Sequence, residues 1–207
     1  MELHFPLILD GATGTELQKC GYKGDISAEQ WVLEHPDAII DIQRRYADAG
    51  SQAVYTPTFG ANRRKLEERG LFNCTADYNC RLAALSAQAV EGRALRVGDL
   101  SPTGAFLSPL GDVSFEELVD IYTEQAAGLE RAGVDLFVIE TMMTLSDARA
   151  AVLAIRSVSD KPIFVTFTCD DSGRSISGTD VTAALVVLQG MGVDAFGLNC
   201  SAGPEQM

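Results

Sequence analysis

Six short apolar, β-branched runs punctuate the chain, at residues 7–9, 53–56, 95–98, 136–139, 163–168 and 195–198. Each is nearly continuous rather than alternating, which is how strands buried on both faces of a parallel sheet read. Between them, apolar residues recur every three or four positions and predict helices over 37–49, 75–91, 114–132, 146–158 and 180–191. In the third of these, Phe115, Leu118, Val119, Tyr122, Ala126 and Leu129 form one stripe, with acids opposite. Ser114 followed by Glu117 reads as a capping box, and Ser146 and Asp180 suit N-cap positions.

Strand then helix, five times over, is a βα repeat. An internal echo supports it: AGSQAV from Ala49, AGVDLF from Ala132 and MGVDAF from Met191 align with one another. Each places a glycine where a helix can stop in a left-handed residue and turn straight into a strand. Two architectures accommodate the pattern, a doubly wound open sheet and a (βα)8 TIM barrel. The first βα turn, DGATGTE, has neither the GxGxxG spacing nor a following P-loop lysine, so a dinucleotide site is poorly supported. Polar residues end nearly every strand: Asp10, Thr56 and Thr58, Asp99, Glu140, Thr168, and Asn199 with Cys200. A barrel gathers such ends on one face, where its site is built, and the barrel is the expected α/β fold.

Composition narrows the classes further. The 207 residues are 46% hydrophobic and 22% charged, ordinary for a globular chain, and no apolar stretch is long enough to span a membrane. With 29 acidic against 16 basic residues the net charge is −13, which argues against nucleic-acid partners. The N-terminus lacks a signal peptide, so a cytoplasmic location is expected. Five cysteines, in no CxxC pair, speak against a disulfide framework. The two histidines, His4 and His35, have no metal-ligand spacing.

Candidate chemistry sits at the strand ends. Asp10 and Glu140 could serve acid–base catalysis or hold a ligand ammonium; alternatively, Asp10 caps its turn and Glu140 caps the next helix. Cys200, at a strand end where a helix is expected to begin, could be a nucleophile, a soft metal ligand or a plain free thiol. The loops TGT, PTFG and DLSPTG could cradle an anion, although tight turns are their default reading.

Taken in order, DGATGTEL, TPTFGANRRKL, GDLSPTG, the IET after AGVDLF, SISGTD and GLNCSAGPE resemble the homocysteine S-methyltransferase family along residues 7–205. DGATGTEL and SISGTD look most like the homocysteine-binding module of cobalamin-dependent methionine synthase. The resemblance implies a methyltransferase barrel in which zinc activates the homocysteine thiol. Cys200 would supply one of three zinc thiolates. Asp10 and Glu140 would hold the amino group, and Gly11 and Ala12 would meet the carboxylate. Asn199 and the loop around Thr58 would complete the wall. Folate- and cobalamin-binding domains of the same polypeptide are implied partners, and methylcobalamin belongs to those domains alone. The family's Gly-Gly-Cys-Cys motif has no counterpart here. One domain over 1–207 is therefore expected, a barrel truncated after its sixth strand, with about six of eight βα units and an incomplete zinc site. The alternative is a catalytically incompetent binding or assembly module that pairs through open sheet edges.

Overall fold

A computed structural model of the chain describes residues 5–201, 203, 205 and 207. Five strands run β1 (Ala53–Tyr55), β2 (Leu95–Leu100), β3 (Leu136–Met142), β4 (Ile163–Phe167) and β5 (Ala195–Leu198). Eight helices accompany them: α1 (Thr13–Lys19), α2 (Ala28–Glu34), α3 (Pro36–Asp48), α4 (Arg63–Glu67), α5 (Thr75–Val90), α6 (Phe115–Arg131), α7 (Leu145–Val158) and α8 (Val181–Gly190). The strands are all parallel and lie in the order β1-β2-β3-β4-β5. Strand order never reverses, so the sheet has no switch point of the doubly wound kind. This is the singly wound arrangement of a barrel, and among the described residues it is not closed into a ring.

The two faces of the sheet bury different sets. Phe137 and Ile139 of β3 join Leu118, Tyr122, Ala151 and Ile155 of α6 and α7 in the main core. Leu136 and Val138 turn the other way, toward Ala53, Val97 and Phe164. Continuous apolar runs are thus required in β2, β3 and β4, where both sides of the strand leave water.

The first apolar run departs from expectation. Of the six predicted strands it alone forms no ladder, contributing a single bridge from Leu9 to Ala53. Ile8 still accepts from the Gln52 amide at 2.7 Å and donates to the Gln52 side chain at 2.9 Å. Ile8 and Leu9 are exposed, so little apolar burial holds this segment in register. The five predicted helices all form, but α7 is capped by Thr144, whose hydroxyl accepts from the Asp147 amide at 3.0 Å, and not by Ser146. α1, α2 and α4 carry five to seven residues each, too few turns for periodicity to reveal.

The internal echo has a shared physical meaning. Gly50, Gly133 and Gly192 all adopt positive φ and end α3, α6 and α8. The next amide reaches back to the last turn each time: Ser51 to Tyr46, Val134 to Leu129 and Val193 to Leu188, at 3.0 to 3.4 Å. The residue after that then clamps the preceding run. Gln52, Asp135 and Asp194 accept, through their side chains, the amides of Ile8, Arg96 and Ile163 at 2.8 to 2.9 Å. Each repeat is a helix stop fused to a strand start.

An alanine at Gly133 must hold a left-handed conformation and is expected to lower unfolding free energy by about 1–2 kcal/mol. Gly190, at the end of α8 with open space where a methyl group would stand, should gain about 0.5–1 kcal/mol as alanine. Urea denaturation of the two variants measures both; equal effects would remove the special role of the αL turn.

Candidate functional site

The inward alternation of the strands continues past their apolar ends. From Ala53, Val97, Leu136 and Val138, steps of two residues lead to Tyr55, Asp99 and Glu140. These three, with Asp10, line a cavity of about 480 Å³ at the carboxyl ends of the strands. Gly11 and Ala12 form another part of its wall, and Leu17, Val32 and Phe59 supply apolar surface. Among the described residues, no Lys, Arg or His lines it.

Asp10 is anchored by the Tyr55 amide, which donates to its carboxylate at 3.1 Å. Gly11 has a steric reason: a Cβ there would come within 2.8 Å of the Tyr46 ring. The Tyr46 hydroxyl crosses behind it to donate to the Ala12 carbonyl at 3.0 Å. Glu29, from α2, accepts the Gly60 amide at 2.6 Å and closes another side of the cavity.

Burial dominates the electrostatics. It pushes the Asp10 carboxyl up to about 7, against the Tyr55 hydrogen bond and with added repulsion from Glu140. Burial also pushes Glu140 up to about 7. Asp99 is raised well above the usual carboxylate range, first by burial and then by Glu140, Asp10 and Glu29, with Lys65 acting against them. One Asp99 oxygen has no hydrogen-bond partner among the described residues. Carboxyls held this way favour a cation, since an ammonium restores the charge interactions that burial removed.

Glu140 sits in a bulge of β3. Ile139 pairs with Val165 and Met142 with Phe167, so β3 carries one residue more than β4 across this interval. The extra turn is taken at Thr141, whose φ is +60°, an outlier for a β-branched residue that costs about 1–3 kcal/mol. Asn199 holds it there. Its side-chain oxygen accepts the Thr141 amide at 3.1 Å, and its side-chain nitrogen donates to the Thr141 hydroxyl at 2.7 Å.

The expected site residues therefore divide. Asp10, Gly11, Ala12 and Glu140 meet around the cavity. Thr58 is fully buried behind it. Its hydroxyl donates to the Asp99 carbonyl at 2.8 Å, while the Asp99 amide donates to Thr56 at 3.1 Å. Thr58 thus ties the end of β1 to the end of β2. Asn199 clamps Thr141 outside the cavity wall. Cys200 is exposed with φ +49°, its sulfur 3.7 Å from the Asn199 side-chain nitrogen. The helix expected after Cys200 falls where residues 202, 204 and 206 lie outside the described residues. No group of three His, Cys, Asp or Glu among the described residues could hold a metal. Asp99 was expected on this face as a strand end but without a role, and Tyr55 and Glu29 were not among the expected site residues. The two-residue period leads to the first two, whereas Glu29 rides on a helix that periodicity misses.

A family model described as "Homocysteine S-methyltransferase" matches residues 7–207. The chain is 31% identical, over 218 aligned positions, to "Methionine synthase" of Mycobacterium leprae and 30% identical to that of Mycobacterium tuberculosis. Both alignments cover 97% of this chain, which spans 18% of those relatives' length. The metallated form of the homocysteine methyltransferase MmuM from Escherichia coli superposes with a TM-score of 0.86 at 25% identity, covering 97% of this chain and 76% of that one. No described helix is long and apolar enough to cross a membrane.

Raised carboxyl pKa values have a definite sign. Between the ordinary values near 4 and the folded values near 7, the folded chain holds protons that the unfolded chain has released. Stability present below pH 4 is therefore lost as pH rises through about 7. The urea midpoint is expected to fall from pH 5 to pH 8, and Asp10→Asn, which keeps an acceptor for the Tyr55 amide, to flatten part of that fall. A midpoint independent of pH in the wild-type chain would contradict the buried-carboxyl account.

Proposed function

The chain belongs to the homocysteine S-methyltransferase family; on that premise we propose that its acidic cavity binds homocysteine and presents the thiol for methylation to methionine. The observation that carries this reading is a cavity lined by four buried or half-buried carboxyls, those of Asp10, Glu29, Asp99 and Glu140, and, among the described residues, by no cationic side chain. Asp10 and Glu140 take the α-ammonium, whose charge draws their protons off near neutral pH. Gly11 and Ala12 stand where the substrate carboxylate would meet backbone amides. Leu17, Val32 and Phe59 pack against the methylene stem and exclude water. Asp99, its carboxyl raised well above the usual range by burial, leaves an oxygen for one further hydrogen bond to the ligand.

Zinc enters this proposal in a restricted form. When bound, zinc would hold the substrate sulfur as a thiolate, a better nucleophile than the thiol. Of the residues that the resemblance implies, the chain offers Cys200 alone, and the described residues do not by themselves fit a zinc site. No step is derived through the metal. The methyl donor and the activity of a longer polypeptide belong to the same proposal, because the chain spans so small a part of its curated relatives.

A second reading is favoured by one observation. α8 exposes Leu185, Val186 and Val187, and β5 is only half-buried along its length, an apolar surface suited to packing against a second copy of this chain. Sedimentation equilibrium tests it: a monomer at every concentration would dismiss assembly through this face.

Calorimetry with L-homocysteine and with 4-mercaptobutanoate, which lacks the amino group, tests the principal reading. A charge-assisted contact supports at least about ten-fold tighter binding of homocysteine. The carboxyls should release protons on binding at pH 7, so affinity should rise from pH 6 to pH 8. Equal affinity for the two ligands would overturn the assignment of Asp10 and Glu140.

A further inference from the structure

We propose that Asn199 is a positioning residue for Glu140, acting through the strained backbone of Thr141 rather than through contact with substrate. This rests on the reading above, in which Glu140 receives the ligand ammonium. The placement is geometric. Asn199 closes β5, and its inward direction brings it across β4 to the bulge of β3. Its side-chain amide makes two bonds to one residue, accepting from the Thr141 N–H at 3.1 Å and donating to the Thr141 hydroxyl at 2.7 Å. Thr166, the residue opposite the bulge, accepts the same N–H at 3.2 Å.

These bonds select a conformation that a threonine otherwise avoids. Thr141 sits at φ +60°, and the residue immediately before it is Glu140. Should Thr141 relax to negative φ, the extra residue in β3 would have to be absorbed elsewhere, and the peptide carrying Glu140 would rotate away from the cavity. The same Asn199 side chain lies 3.7 Å from the Cys200 sulfur. One amide thus joins the residue next to the cysteine to the residue next to Glu140.

The test compares affinities of wild-type chain and variants for L-homocysteine and for 4-mercaptobutanoate. Asn199→Ala is expected to weaken homocysteine by about ten-fold while leaving the analogue within about two-fold, because only the amino contact depends on Glu140. Thr141→Gly, whose glycine adopts φ +60° without a clamp, should shrink the Asn199→Ala loss to less than about three-fold in the double variant. Asn199→Asp keeps the acceptor and loses the donor; it carries the test if Asn199→Ala fails to fold, with an intermediate loss of discrimination expected. Equal weakening of both ligands, undiminished discrimination in the folded Asn199 variants, or an unchanged loss in the Thr141→Gly background would each overturn the proposal. If the wild-type chain itself fails to discriminate, the reading of Glu140 falls first and takes this inference with it.

Discussion

Withdrawing four carboxyl groups, those of Asp10, Glu29, Asp99 and Glu140, around one opening is the constraint from which the rest of this site follows. Each is withdrawn from water at a cost that must be met by protonation, by hydrogen bonds or by a cation. Asp10 commits an oxygen to the Tyr55 amide, whereas Asp99 keeps one unpartnered among the described residues, with Lys65 offsetting part of its repulsion. A cavity so arranged is stable enough to exist empty as long as some of its acids keep their protons. A ligand that brings a positive charge would offset that cost.

The scaffold holds that strained opening through a device repeated three times. Helix stop, left-handed glycine and strand-starting side chain follow one another at Gly50, Gly133 and Gly192. The clamps of Gln52, Asp135 and Asp194 set strand register at the opposite end of the sheet from the cavity. With register set there, the two-residue alternation delivers Tyr55, Asp99 and Glu140 inward at the mouth. Rigidity at one end of the parallel sheet is what allows irregularity, in the form of the β3 bulge, at the other.

How much of this could be read along the chain varies with the range of the interaction. The five longer helices are legible because their apolar stripes recur over three or more turns. Thr144 displaces Ser146 as the cap of α7 because Asp147 supplies the amide that meets its hydroxyl, while its side chain accepts from Thr144 at 2.6 Å. The run at residues 7–9 reads as a strand on composition, yet Ile8 and Leu9 are exposed and only a single bridge forms. Thr58 and Asn199 are legible as polar residues beside strand ends. That they brace the site from behind is not, because their partners, Asp99 and Thr141, are 41 and 58 residues away.

The sequence by itself determined the βα order, the parallel sheet, the family resemblance and the strand ends at which chemistry gathers. Local periodicity and short motifs suffice for these, since each is written within one element. Only the tertiary structure decided which of those strand ends share a cavity, that Glu29 closes its side, and that Asn199 bears on the backbone next to Glu140. Those outcomes depend on burial and on a one-residue slip between neighbouring strands, and neither quantity exists until the strands are side by side.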